Sequence, residues 1–170
     1  QGDLLVGAGG NDFIDGGTGM DTIFGGDGDD VVDGGDDAVI AGGLGLAAFA
    51  SGFADSLHGG AGNDILYGRG GNDTLHGDAG DDELHGGAGA DRFVFGDAFG
   101  SDTVVGFARA QGDRLAVSGF GEGLDEFVEL AAHVSDDGID TTIDLIAFGG
   151  GMILLAGFTG LQAGDLDLLA

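Results

Sequence analysis

The sequence predicts an all-β fold in which very short parallel strands stack as the coils of a solenoid. Three observations predict it. The first is a period. From Gly59 to Val94 the chain reads GGAGNDILY, GRGGNDTLH, GDAGDDELH, GGAGADRFV. Glycine holds the first place of each unit (Gly59, Gly68, Gly77, Gly86) and the fourth (Gly62, Gly71, Gly80, Gly89), aspartate the sixth (Asp64, Asp73, Asp82, Asp91), and a large apolar residue the eighth (Leu66, Leu75, Leu84, Phe93). A fixed repeat of this kind specifies an architecture. The second observation is composition: 41 Gly with no Pro, Cys or Trp in 170 residues. The third is charge: 31 Asp plus Glu against 4 Lys plus Arg, a formal net charge of −27.

The unit explains its own residues. Its first six places are mostly Gly with Asn and Asp, which favours a tight turn, because Gly takes positive φ without steric cost. Its last three, with an apolar residue in the middle, make a short strand with one side chain pointing inward. Two units complete a coil, and coils stack about 4.8 Å apart. The inner apolar row becomes a narrow core, and the sixth-place aspartates align in columns. Carboxylates at that spacing repel one another, and the turn carbonyls lack donors. A hard divalent cation answers both problems. Ca²⁺ accepts six to eight oxygen ligands in flexible geometry, whereas Mg²⁺ demands a stricter octahedron and dehydrates reluctantly.

The motif GGxGxD followed by x, apolar, x resembles the RTX nonapeptide repeat. The resemblance implies a right-handed parallel β-roll, a β-solenoid with Ca²⁺ between the turns of neighbouring coils, and export by a type I ABC-transporter system. It carries a ligand role to the sixth-place aspartates and the turn glycines. In the first block these are Asp3, Gly7, Gly10, Asp12, Gly16, Gly19, Asp21, Gly25, Gly28 and Asp30. In the second they are Asp55, Gly59, Gly62, Asp64, Gly68, Gly71, Asp73, Gly77, Gly80, Asp82, Gly86, Gly89 and Asp91. Stacking of units two apart gives roughly five to eight ions.

Four regions follow in order. Residues 1–40 are the first repeat block, with inner apolar residues Leu5, Ile14, Ile23 and Val32. Its last unit reads as shortened by two residues, with Asp37 as a further ligand. Residues 41–54 break the period with Leu44, Leu46, Phe49 and Phe53 among Gly and Ala. They read as an apolar insertion covering the core, or as a partner-binding surface, and admit a short helix over 44–50. Residues 55–95 are the second block. The gap from Asp30 to Asp55 is not a multiple of nine, so stacking across the junction needs a local adjustment. Residues 96–170 form a β-rich cap, which a solenoid needs at an exposed end. From Arg92 onward the expected strands are Arg92–Phe95, at the end of the second block, then Thr103–Phe107, Arg114–Val117, Ile139–Phe148 and Met152–Ala156. A short helix is expected over Leu124–His133, and a hairpin turn at Gly149–Gly151. Asp102 and Asp113 read first as turn residues, with an extra ligand role or an ion pair with Arg92 or Arg114 as the alternative. The cap resembles the segment that follows the roll in type I-secreted proteins, and the tail Gly164–Ala170 resembles the acidic, apolar ends such transporters read.

Several classes are disfavoured. The charge repels nucleic acid, whose binding needs Lys and Arg on phosphates. No apolar run approaches the ~18 residues of a membrane span. No Gly-x-Ser-x-Gly, His-Glu-x-x-His or Walker lysine occurs, and no loop has EF-hand spacing, so a catalytic role is not expected. His58, His76 and His85 take the outward ninth place, where His58 and His76 should be neighbours, either as plain surface histidines or as a transition-metal or pH-sensitive group. His133 carries no reading. No basic-then-apolar leader is visible, and Gly2–Val6 reads as the end of a unit already under way, so a longer parent chain is expected. The function expected is a calcium-dependent folding and secretion module of a larger exported bacterial protein, acting outside the cell or at its surface. Its partners are calcium, a type I transporter and upstream domains. The alternative is a calcium-rigidified structural or adhesive module of a surface-layer or biofilm protein.

Overall fold

The computed structural model describes residues 2–17, 21–35, 53–96, 99–118, 134–145 and 150–169. Strands fall where the eighth-place apolar residues predict them. They are β1 (Leu4–Gly9), β2 (Phe13–Asp15), β3 (Thr22–Asp27), β4 (Val31–Asp33), β5 (Ser56–Ala61), β6 (Ile65–Gly70), β7 (Thr74–Ala79), β8 (Glu83–Ala88) and β9 (Arg92–Phe95), followed in the cap by β10 (Ser101–Val105), β11 (Arg114–Ser118), β12 (Val134–Asp136), β13 (Thr141–Asp144), β14 (Met152–Ala156) and β15 (Leu166–Leu169). Several run six residues, longer than the three expected, because pairing continues into the first glycines of the next turn.

Alternate strands go to opposite sheets. One is ordered β1-β3-β5-β7-β9-β11-β15, the other β12-β13-β14-β10-β8-β6-β4-β2. All pairs are parallel except β12–β13 and β13–β14. Between the sheets lie two rows of apolar side chains. Ile23, Leu57, Leu75, Phe93 and Leu115 face Val32, Leu66, Leu84, Val104 and Leu155, all with no exposed surface. The result is a parallel β-roll. Burying each such side chain contributes about 1.5–3 kcal/mol, so the two rows are the apolar component of stability.

The two repeat blocks stack without an intervening coil. Ile23 pairs with Leu57, and Val32 with Leu66, in the same register as Leu57 with Leu75. The break is therefore accommodated between two coils already in direct contact. Residues 36–52, with the expected Asp37 ligand and most of the apolar insertion, lie outside the described residues, as do the expected helix at 124–133, His133 and Gly149.

At the end of the second block β9 matches expectation, as β11 and β14 do closely in the cap, and β10 begins two residues earlier. Of the long strand expected over 139–148, β13 holds Thr141–Asp144. It forms an antiparallel hairpin with β14, where the Leu145 N–H donates to Gly151 O at 2.9 Å. β12 and β15 were not anticipated. The tail, read as a transporter signal, is also the seventh strand of its sheet, with Leu166 on Leu115. The helical element among the described residues is a 3-10 turn at Ala163–Asp165. Arg109 anchors it: Nε donates to Asp165 Oδ1 at 2.6 Å and Nη2 to Gly160 O at 2.7 Å. Desolvation opposes ionisation of Asp165, but the Arg109 hydrogen bond and charge outweigh it and hold the carboxyl below its usual range. Phe107 seats the cap on Phe93 and, edge-on at 4.8 Å, on Phe158.

Candidate metal centre

The sixth residue of each unit stands where a glycine turn enters a strand. The backbone brings these aspartates into two ladders, one along each edge of the roll. On one edge, each aspartate N–H donates to the Oδ1 of the aspartate one coil on. The Asp3 N–H donates to Asp21 at 2.7 Å, Asp21 to Asp55 at 2.7 Å, Asp55 to Asp73 at 2.9 Å, Asp73 to Asp91 at 3.0 Å and Asp91 to Asp113 at 3.1 Å. On the other edge Asp12 donates to Asp30 at 2.8 Å, Asp30 to Asp64 at 2.6 Å, Asp64 to Asp82 at 2.9 Å and Asp82 to Asp102 at 3.1 Å. Asp21, Asp30, Asp55, Asp64, Asp73, Asp82, Asp91 and Asp102 are at most 4% exposed, although each is a charged side chain that ordinarily seeks water.

Each rung above the lowest ones, Asp3 and Asp12, spends one oxygen on a backbone amide. The second oxygen, Oδ2, of Asp12, Asp21, Asp30, Asp64, Asp82, Asp91 and Asp102 is buried and meets no hydrogen-bond donor among the described residues. A buried carboxylate oxygen left in this state costs free energy. The environment registers it. Burial, with the neighbouring aspartate charges, pushes Asp64 up to about 6, Asp82 to about 7 and Asp102 to about 7, against the lowering effect of the backbone amide each one accepts. Asp91 rises to about 6 for the same first reason, with Asp113 adding to it.

The turn glycines make room for this arrangement. The first-place Gly7, Gly25, Gly59, Gly68, Gly77 and Gly86 lie beside the Oδ2 of their own unit's aspartate; a Cβ on Gly86 would stand 2.3 Å from Asp91 Oδ2. Gly16 plays the same part beside Asp21. The fourth-place Gly10, Gly28, Gly62, Gly71, Gly80 and Gly89 all have positive φ. Gly89 shows why: at φ +132° its Cβ would fall 1.6 Å from the Gly71 carbonyl oxygen of the coil below. Gly19 and Asp37 are outside the described residues. The rung after Asp21 is Asp55, with no other aspartate between them on that ladder.

Sequence reasoning missed three features. Asp102 and Asp113, read first as turn residues, are the top rungs of the two ladders. The spacing widens there to 20 and 22 residues, which hides them from a nine-residue count. The signal that survives is Asp-x-apolar-x, in Asp102-Thr103-Val104-Val105 and Asp113-Arg114-Leu115-Ala116. They also differ from each other. Asp102 keeps a bare Oδ2, whereas Asp113 Oδ2 accepts the Ala108 N–H at 2.8 Å, so Asp113 ends its ladder with both oxygens engaged. The third feature is the fifth place. Side-chain oxygens of Asn11, Asp29, Asn63 and Asp81 accept amides of Asp29, Asn63, Asp81 and Ser101 at 2.8–3.2 Å, clipping successive turns from outside. Asn72 does the same for Ala90 at 2.9 Å. In the sequence the fifth place also holds Met20, Ala54 and Ala90, so no fixed residue marks it.

The histidines lie outward and half-buried. His58 and His76 stack with ring centroids 4.1 Å apart, as their spacing predicts, and His85 stacks on Tyr67 at 4.6 Å. Among the described residues no helix is long and apolar enough to cross a membrane.

Known proteins share this arrangement. Residues 6–41, 49–84 and 67–104 match the RTX calcium-binding nonapeptide repeat in its four-copy form. Among solved structures, the extracellular lipase LipA from Serratia marcescens superposes over 99% of this chain with a TM-score of 0.54 at 21% identity. That likeness concerns the fold, and the chain spans 38% of the lipase. The AlgE6R3 subunit from the Azotobacter vinelandii mannuronan C5-epimerase matches 67% of this chain and 72% of its own length, with a TM-score of 0.51 and 33% identity. A search of curated proteins returns no match. With repeats matched over more than half its length, and with the aspartate ladders and glycine turns those repeats build, the chain belongs to the RTX calcium-binding nonapeptide repeat family.

Proposed function

We propose that this chain is a calcium-triggered folding module that supports type I secretion and folding of a larger exported protein. The observation that carries the proposal is the row of buried aspartate Oδ2 atoms with no donor to meet them. Oxygen-only, closely spaced and negatively charged, this donor set suits Ca²⁺. The residues assigned to hold it are Asp12, Asp21, Asp30, Asp64, Asp82, Asp91 and Asp102, with Asp3, Asp55 and Asp73 in the same ladders. Backbone carbonyls of the glycine turns supply the remaining oxygens. Asp113, with both oxygens engaged, is left out.

The mechanism is mass action. A ligand that binds only the folded chain stabilises it in proportion to its concentration. Where Ca²⁺ is scarce, folding the −27 chain would bury the Oδ2 atoms of Asp12, Asp21, Asp30, Asp64, Asp82, Asp91 and Asp102 with no donor to meet them, so it stays unfolded, the form that an ABC transporter of the type I class can thread. Extracellular modules bind Ca²⁺ at about 10⁻⁴–10⁻³ M, so release into a calcium-rich medium fills the ladders and closes the roll. The folded C-terminal end then opposes backsliding and gives upstream domains a folded neighbour. Catalysis is assigned to no residue here; the chain acts as a structural, ion-loaded element outside the cell or at its surface.

Far-UV circular dichroism during a Ca²⁺ titration tests this, with Mg²⁺ as control. The expected result is a cooperative coil-to-β transition at sub-millimolar to millimolar Ca²⁺ that Mg²⁺ does not reproduce. A chain fully β-structured in excess chelator would sink the switch.

A further inference from the structure

The outer face of the β1-β3-β5 sheet carries a second cluster of metal-ligating groups, built from different chemistry. His58 on β5 and His76 on β7 are Cα partners in parallel register, so both rings leave the sheet on the same side. They stack 4.1 Å apart and only 13° from parallel, with Phe24 continuing the stack from His58 at 4.9 Å. Asp78, two residues beyond His76, brings its carboxylate over the pair: Oδ2 lies 3.2 Å from His58 Nδ1. One ligand atom from each of the three residues falls within 4.8 Å of the others.

We propose that His58, His76 and Asp78 form a binding site for a late first-row transition cation, Zn²⁺ in the first instance, separate from the aspartate ladders. Two imidazole nitrogens and one carboxylate oxygen are a donor set for Zn²⁺, Cu²⁺ or Ni²⁺ and a poor one for Ca²⁺, which takes oxygen. Zinc–ligand bonds of about 2.0–2.1 Å in a tetrahedron place ligand atoms about 3.3–3.4 Å apart. Side-chain rotation on this open surface closes the remaining distance, and water takes the fourth position.

Two further features describe the cluster. Asp78 occupies the second place of its unit, where its pairing partner Gly60 and the next unit's Gly87 are glycine at φ +113° and +104°. Asp78 holds φ +69°, a conformation costly for residues with a Cβ, though least so for Asn and Asp. Arg69 at φ +73° and Ala8 at φ +86° hold the same second place, so the roll accepts a side chain there, and at Asp78 that side chain is a carboxylate lying over the histidine pair. His76 is also held below its ordinary range, by burial first and then by His58 and Arg92, against the opposing charge of Asp78. Around the site, the chain's net charge of −27 concentrates divalent cations. An ion here would tie β5 to β7 across the outside of the roll.

The experiment is calorimetric titration of Zn²⁺ into the full chain under saturating Ca²⁺, so that the ladders are occupied, with Mg²⁺ as control. One Zn²⁺ per chain is expected, with nitrogen chemical-shift changes at the rings of His58 and His76. Asp78→Gly gives this place the residue carried by its pairing partner Gly60 and by Gly87 of the next unit, so it preserves the fold, and it should weaken Zn²⁺ binding by about tenfold or more. His76→Ala should abolish binding, and His85→Ala should not alter it, while the Ca²⁺ midpoint for folding stays the same in both histidine variants. The proposal is overturned if Ca²⁺-loaded protein takes up no Zn²⁺, or if Asp78→Gly and His76→Ala bind it as the parent does.

Discussion

Asp82 shows what a single rung does. Its Oδ1 accepts the Asp64 N–H at 2.9 Å, its own N–H donates to Asp102 at 3.1 Å, and its Oδ2 is buried with no donor. The two oxygens therefore have separable roles. Asn in place of Asp keeps the acceptor for the amide and removes the charge and the second oxygen. For Asp82→Asn we expect the Ca²⁺ midpoint of folding to rise by about threefold to tenfold, while the chelated protein becomes more stable, because a costly buried charge is gone. Asp102→Asn should behave alike, which would establish it as a full rung. Ca²⁺ titration and urea melts in chelator read the two effects, and they must move in opposite directions. The glycines make a complementary case. Gly10 at φ +105° has open space where a Cβ would be, whereas Gly89 at φ +132° has a carbonyl oxygen 1.6 Å away. Gly10→Ala should cost about 1–2 kcal/mol of backbone strain. Gly89→Ala should cost about 3 kcal/mol or more, since the coil beneath must shift as well. Urea midpoints under saturating Ca²⁺ rank the two.

At the scale of elements, the junction between the blocks is the informative one. Asp21 binds Asp55 across 34 positions, while Asp55 binds Asp73 across 18. The strands on either side pair as though the intervening chain were ordinary length. Excising residues 36–51 would return the separation to that of a regular coil and bring Gly34-Gly35 up to Gly52-Phe53-Ala54-Asp55. We expect this variant to keep its β-content and Ca²⁺ response and to gain about 1 kcal/mol from the shorter closure, as read by circular dichroism and urea melts. Loss of the roll would mean that the segment holds the blocks together. Within the regular blocks every strand was legible in the sequence, because one inward Leu, Ile, Val or Phe per nine residues fixes both position and facing. Legibility fades in the cap. There β10, β11 and β15 continue the same two sheets, but connections of varied length remove the period. What holds Leu115 on Phe93 and Leu166 on Leu115 is burial and strand pairing, which a nine-residue count cannot see.

For the whole molecule, charge is the governing quantity. An Asp in an unfolded chain titrates near ~3.9, and the folded-state values of about 6 to 7 at Asp64, Asp82, Asp91 and Asp102 lie above it. The folded state therefore binds protons more tightly than the unfolded one, so protonation favours folding. In chelator, stability should rise as pH falls from about 7 toward about 4, and be least above that window. The metal-free chain should show more β-structure at pH 5 than at pH 8 by circular dichroism. With Ca²⁺ present the sign reverses, because protons and the ion compete for the same oxygens. A chelated chain equally unfolded at both pH values would show that these carboxylates do not control folding.

The sequence by itself determined the period, the inward apolar row and the columns of sixth-place aspartates. Each follows from the local geometry of a glycine turn and a short strand, repeated without change. It also placed His58 beside His76, since residues two units apart share a face. Only the tertiary structure decided that the blocks stack directly, that Asp102 and Asp113 crown the ladders, that the tail closes a sheet, and that Asp78 reaches the histidine pair. In each of these the chain between the partners departs from nine residues or the backbone departs from glycine. Contact is then set by strand register and buried surface across the fold, which no local spacing encodes.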